Sequence, residues 1–254
     1  MIDLHAHILP AVDDGAANLE DALDMARLAA ADGVRTMVAT PHSGDWQPPL
    51  SAAAMRAGVA QLQAALDREG VAVSVVMGME VYLDPDTAWR AVQGSAWCLG
   101  ETNYLLVELP LHEYPAYTEQ VLFELQARGF RPILAHPERN AVLAREPARL
   151  APLVERGILA QVTAGSLAGR FGRHVLAAAE LLLEHRLVHI IASDAHGVGS
   201  RSPVLSVGVA AAAVLVGVER ARAMVTTTPA AILAGQAIAA EPPLPLTARR
   251  RSWV

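Results

Sequence analysis

The chain has 254 residues, 53% of them hydrophobic, and carries a formal net charge of -6 with a pI near 5.8. Such an acidic surface repels polyanions, which argues against a general nucleic-acid binder, while the apolar content supports one large core. Every basic side chain is Arg or His, and the absence of Lys excludes Walker-type phosphate loops and lysine Schiff-base chemistry.

Residues 1–7, Met1-Ile2-Asp3-Leu4-His5-Ala6-His7, predict a first strand. His5 and His7 project to one face of it, about 7 Å apart, and Ile2 and Leu4 take the other parity. Two imidazoles on one face invite a metal, although surface histidines also fit the pair taken alone. A turn over 8–15 with Pro10, Asp13, Asp14 and Gly15 leads into an alanine-rich helix capped by Asn18 and ended by Gly33. A second strand over 34–40 stops at Pro41-His42, and a Pro-rich loop over 43–49 precedes an amphipathic helix reaching Glu69. A third strand over 71–79 delivers Glu80, and a fourth over 105–107 ends in Glu108 before Pro110. A helix over 114–128, closed by Gly129, precedes a fifth strand over 132–135 that ends at His136. Helical sequence through Glu155 and a sixth strand over 158–162 follow. A helix over 167–185 then leads to a seventh strand over 188–192, ending in Ser193-Asp194-Ala195-His196. The apolar run over 204–218 is too short to span a bilayer and predicts a buried helix. The tail over 241–254 holds three prolines and Arg249-Arg250-Arg251, and predicts chain that is disordered or laid on the surface.

The single Cys98 excludes an internal disulfide framework, and the N-terminus lacks the basic and apolar regions of a secretion signal, so a cytoplasmic setting is expected. Alternating helices and short apolar strands predict an α/β fold with parallel strands, in one domain over 1–240. A barrel explains the pattern better than an open sheet. His7, His42, Glu80, Glu108, His136 and the Asp194/His196 pair all fall at or just past the carboxyl ends of separate strands, which converge on one mouth only when the sheet closes. With seven strands visible, the expected form is a distorted seven-stranded (β/α) barrel.

The strand-end set is His5, His7, Asp14, His42, Glu80, Glu108, His136, Asp194 and His196. Nitrogen and carboxylate donors without thiolate suit Mn, Fe or Zn. Other phosphate-cleaving motifs are absent: Cys98 has Tyr104, not Arg, six positions on, and Asp84-Pro85-Asp86-Thr87-Ala88 misses the Asp-x-Asp-x-Thr of an aspartate nucleophile.

The sequence resembles the polymerase-and-histidinol-phosphatase (PHP) phosphoesterases in Asp3-Leu4-His5-Ala6-His7, Thr40-Pro41-His42, Glu80, His136-Pro137 and Ser193-Asp194-Ala195-His196. More narrowly, His7-Ile8-Leu9-Pro10 with Asp13-Asp14-Gly15, together with His136-Pro137-Glu138-Arg139, is similar to the bacterial manganese-dependent protein tyrosine phosphatases of capsule and exopolysaccharide clusters. The resemblance runs from Met1 to about Leu233. It implies three metal ions, Mn2+ foremost, with Fe or Zn as alternatives. The first would be held by His5, His7, Glu80 and Asp194, the second by Glu80, Glu108 and His136, and the third by Asp14, His42 and His196. Ser43 departs from the pattern, in which a second His commonly follows Thr-Pro-His, and Asp13 is read as a turn residue or a support for a ligand.

Three divalent ions would bring about six positive charges against the carboxylates of Asp14, Glu80, Glu108 and Asp194, leaving a cationic pocket in an acidic protein. A phosphate monoester would be drawn there and attacked in line by a metal-bridging water, with Arg139 and Arg201 holding phosphoryl oxygens. For Arg201 a helix-cap salt bridge beside Ser202-Pro203 is the competing assignment. Trp46, Tyr82 and Phe171 are candidates to line an entrance for a phenyl ring. The implied substrate is a phosphotyrosine protein, foremost a bacterial tyrosine kinase controlling polysaccharide export. The alternatives are histidinol-phosphate or another small phosphoester, and a non-catalytic metal-binding scaffold. No nucleic-acid partner and no transmembrane segment are expected, and a homo-oligomer is left open.

Overall fold

The computed structural model describes residues 1–43, 51–94 and 97–246. Among the described residues eight short strands form, with helices between all neighbours except β3 and β4: β1 Ile2–Ala6, β2 Thr36–Ala39, β3 Ser74–Met77, β4 Glu80–Tyr82, β5 Tyr104–Glu108, β6 Arg131–Ala135, β7 Leu159–Thr163 and β8 Ile190–Ala192. The first helices are α1 Leu19–Ala31, α2 Ala52–Arg68, α3 Thr87–Val92 and α4 Thr118–Ala127. They are followed by α5 Ala141–Arg145, α6 Ala151–Glu155, α7 Ala164–Leu167 and α8 Arg173–Glu184, and by α9 Ser206–Val216, α10 Val218–Ala223 and α11 Thr227–Leu233.

The strands form two parallel sheets, β1-β2-β3 and β4-β5-β6-β7-β8. Where the sequence predicts a single third strand over 71–79, two form. Between them Gly78 runs against its neighbours, and a Cβ there would meet Val38 Cγ1 at 2.7 Å. The sheets touch at two seams. At one, His42 bridges Glu80, with Ser43 N–H donating to Glu80 O at 2.8 Å and Glu80 N–H to Pro41 O at 3.1 Å. At the other, Ala6 bridges Ala195, with His7 N–H donating to Ala195 O and Asp194 N–H to His5 O, each at 2.9 Å. Parallel strands covered by helices are buried on both faces, and the strand residues Leu4, Val38, Leu106, Ile133 and Leu159 are shut from solvent accordingly.

Other expectations are corrected. The helical stretch through Glu155 is broken into α5 and α6 with 3-10 turns at Pro137–Arg139 and Pro147–Arg149, because proline cannot donate to a continuing helix. The helix expected over 167–185 splits into α7 and α8 around Gly169 and Gly172, both at positive φ. The apolar run expected to be one buried helix forms α9 on the surface, with only Gly208 and Ala212 buried and Val214 86% exposed. Of the tail, Leu244 N–H donates to His185 O at 3.0 Å and Glu241 pairs with Arg186 at 3.1 Å, so its first residues lie on the body. Arg249-Arg250-Arg251 and Trp46, expected to line an entrance, lie outside the described residues. No described helix is long and apolar enough to cross a membrane.

Candidate metal centre

The pleat of β1 turns His5 and His7 to one side, and their Nε2 atoms stand 3.2 Å apart, buried. Two carboxylates from other strands close on the same point. Glu80 Oε2 lies 3.3 Å from His5 Nε2 and 3.4 Å from His7 Nε2, and Asp194 Oδ1 lies 3.3 and 3.5 Å from the same atoms. Donor atoms of these four residues fall within 4.8 Å of one another. Two further groups meet the same criterion: His42 with Glu80 and Glu108, and His7 with Asp14, His42 and His196. His42 Nδ1 is 3.0 Å from Glu80 Oε2, and His196 Nε2 is 3.2 Å from Asp14 Oδ1. His136 reaches the second group from the far side, its Nε2 2.9 Å from Glu80 Oε1 and 3.8 Å from Glu108 Oε1. All nine residues singled out by strand position therefore meet. The partition differs from the implied one in that His7 and His42 each serve two groups.

Local structure aims these side chains. His7 Nδ1 is held at 2.6 Å by Asp13 Oδ2, whose carboxylate also accepts the N–H of Gly15 and of His42. This bond leaves His7 Nε2 to the cluster. Gly15 is required by the close turn, since a Cβ there would sit 2.0 Å from His7 O. His5 Nδ1 is fixed by Gln161 Oε1 at 3.0 Å from β7. Asp3, buried one pleat away, accepts the Ser193 N–H at 3.0 Å and the Ser193 hydroxyl, tying β1 to the turn that carries Asp194. His136 (φ 31) and Asp194 (φ 52) both occupy the left-handed region, a conformation that costs a non-glycine residue energy and concentrates at functional sites. Gln161 and Asp3 were not singled out from the sequence as supports for the site. Their signal was there: each is a polar residue within a mostly apolar strand, where an unpaired polar group is expensive.

Arg139 and Arg201 both donate to Asp194 Oδ2, Arg201 at 2.7 Å, which leaves Oδ1 facing the histidines. Arg201 is therefore engaged at the centre rather than at the cap beside Ser202. Arg139 stacks over Phe171 at 4.7 Å from the ring centroid. Tyr82, the last residue of β4, is 41% exposed, and Ser43 Oγ accepts its N–H at 2.8 Å.

Burial raises the cost of charge here, and close partners decide its sign. Burial pushes the Glu80 carboxyl upward, but His5, His136 and His42 hold it well below the usual range. Asp194 behaves alike, burial being outweighed by His5, His7 and His136. Burial pulls the His7 imidazole down, yet Asp13, Asp194 and Glu80 raise it well above its ordinary value. His196 is lowered to about 4 by burial and the neighbouring His7. Burial and Glu80 together raise Glu108.

The donor set fits divalent cations. Glu80 Oε2 and Asp194 Oδ1 are buried and lack a hydrogen-bond partner among the described residues, and two imidazole nitrogens face each other beside them. Converging lone pairs of this kind repel unless a cation lies between them.

Comparison with known proteins agrees with the geometry. Residues 1–234 match the family model described as capsular polysaccharide synthesis, CpsB/CapC. The tyrosine-protein phosphatase YwqE of Bacillus subtilis is 41% identical over 202 residues, covering 80% of each chain. A putative tyrosine-protein phosphatase, CapC of Staphylococcus aureus, is 32% identical over 201 residues, 79% of each. One solved structure, from work on YwqE and on CpsB of Streptococcus pneumoniae as metal-dependent tyrosine phosphatases, superposes with a TM-score of 0.93 at 37% identity, over 97% of this chain and 100% of the other.

Proposed function

The chain belongs to the CpsB/CapC family of capsular polysaccharide synthesis, and from that premise we propose that it is a metal-dependent protein-tyrosine phosphatase. The observation that carries the reading is the convergence of Glu80 Oε2 and Asp194 Oδ1, both buried and without a hydrogen bond among the described residues, on the histidines of β1. Three divalent ions, Mn2+ foremost, would be held by His5, His7, Glu80 and Asp194; by Glu80 and Glu108 with His42 and His136; and by Asp14, His42 and His196. Bound there, such cations supply Lewis acidity toward phosphoryl oxygens and activate a water for attack on phosphorus.

The chain's own residues do the rest. Asp13 and Gln161 orient the two β1 imidazoles, and Asp3 holds the Asp194 turn in register. Arg139 and Arg201, anchored on Asp194 Oδ2, keep further N–H donors for phosphoryl oxygens, since a guanidinium has five. The two sheets joined at both seams are read as one distorted ring of seven strand positions, β3 and β4 sharing the third, within a domain spanning 1–240. The substrate is a phosphotyrosine protein, foremost a tyrosine kinase of polysaccharide export.

The test is hydrolysis of p-nitrophenyl phosphate and of a phosphotyrosyl peptide with Mn2+ added. Folded His136→Ala and Asp194→Asn proteins are expected to lose about 100-fold or more in kcat/KM. Variants as fast as the parent defeat the mechanism. A preference for histidinol phosphate over the peptide defeats the substrate assignment.

A further inference from the structure

A groove of about 950 Å³ opens beside the centre, between α8 and the segment formed by the Pro137–Arg139 turn and α5. Clefts for small ligands run from about 300 to 1,000 Å³, so this one has room for several residues of extended chain. Its inner end is Arg139, the residue that contacts Asp194. Its floor is apolar, with Ala178 and Leu181 among the lining residues, and Arg145, Arg173 and His174 line it further out.

Among the described residues, these outer side chains face no counter-charge. Arg145 Nε donates only to Ala141 O at 2.8 Å, and among the described residues neither it nor Arg173 nor His174 forms an ion pair. Arg173 and His174 also open α8, a 12-residue helix with no acidic residue in its first turn and no side-chain cap. A guanidinium such as that of Arg173 at a helix N-terminus opposes the macrodipole, so the arrangement is disfavoured until an anion joins it. The acid in the groove wall, Glu138, is turned inward: its Oε1 accepts the Thr163 N–H at 3.0 Å and the Ser166 hydroxyl at 2.7 Å. In a protein of net charge -6, this wall is locally cationic and runs out from the place assigned to the phosphoryl group.

We propose that this groove binds the polypeptide flanking the phosphotyrosine, and that Arg145 and Arg173 select substrates with carboxylate side chains beside it. The inference rests on the phosphatase reading, and the two fail separately. The experiment measures KM with Mn2+ for a phosphotyrosyl peptide bearing two Glu on each side, against the same peptide with Gln. At low ionic strength the Glu peptide is expected to have a KM lower by about tenfold, with kcat little changed, as suits two or three exposed charge contacts. The preference should collapse by about 0.5 M salt, where the screening length falls to a few ångströms. In the Arg145→Gln/Arg173→Gln double variant it should fall to about twofold or less. The ratio is taken within each protein, so a general loss of activity cancels. Equal KM values for the parent, a preference indifferent to salt, or a preference that survives in the double variant overturns the groove assignment. A parent that cleaves neither peptide nor p-nitrophenyl phosphate overturns the phosphatase reading instead.

Discussion

His189 sits beside β8 with Nδ1 accepting the Ala160 N–H at 3.2 Å and Nε2 buried without a partner among the described residues. Burial, then the charge of Arg220, lowers its pKa to about 4. In the unfolded chain an imidazole titrates near 6.5, so between about pH 6.5 and 4 the unfolded state binds the extra proton and the folded state does not. The stability contributed is present above pH 6.5 and lost as pH falls toward 4. Denaturant unfolding at pH 5 and 7 should therefore show a drop of about 1–2 kcal/mol that is absent in His189→Asn, whose amide oxygen can still accept from Ala160. His189 lies away from the centre, where the candidate ligands were legible because nine chemically distinctive residues fall at or near strand ends. The supports were less so. Gln161 matters only because the fold places it against His5 Nδ1, a cross-strand contact that no local pattern encodes.

Helices and strands follow their local signals until packing intervenes. Asn18 caps α1 through its bond from Asp21 N–H, as its position before the apolar periodicity implied. The run that forms α9 predicts burial because it is almost wholly apolar, a pattern that cannot tell a covered helix from a surface helix of small residues. What docks α9 is Gly208: a Cβ there would lie 2.6 Å from Ala164 Cα and 2.8 Å from Ala164 Cβ, in α7. Gly208→Ala would gain up to about 1 kcal/mol of helix propensity, but the clash is with backbone and cannot be relieved by a rotamer. Overpacking of this kind typically costs about 1–3 kcal/mol. The variant is expected to melt roughly 2–10 °C lower in a thermal scan, with α9 displaced from α7. An unchanged or raised midpoint would show that α9 can shift without loss.

Across the whole molecule the convergence of strand ends is the legible feature, since the sequence of separate elements points them to one mouth. The division into two sheets was not: a seam depends on which strands fail to pair, and both seams lie beside candidate ligands. His42 and Glu80 flank one and Asp194 the other, so cations bound at the centre would fasten the sheets to each other as well as activate water. A ligand present at 100 times its dissociation constant stabilises by about 2.7 kcal/mol. Chelation is therefore expected to lower the melting midpoint by about 5–10 °C, and Mn2+ add-back to restore it. A midpoint indifferent to both would separate the carboxylate cluster from cation binding.

The seams carry this into the cell. If cations complete the joint between two half-structures, metal starvation does more than switch off catalysis: it increases the time each copy spends partly open, when proteases can cut it. The amount of protein would then track divalent-ion supply with no change in its synthesis, and a short starvation would leave a deficit that lasts until new copies are made.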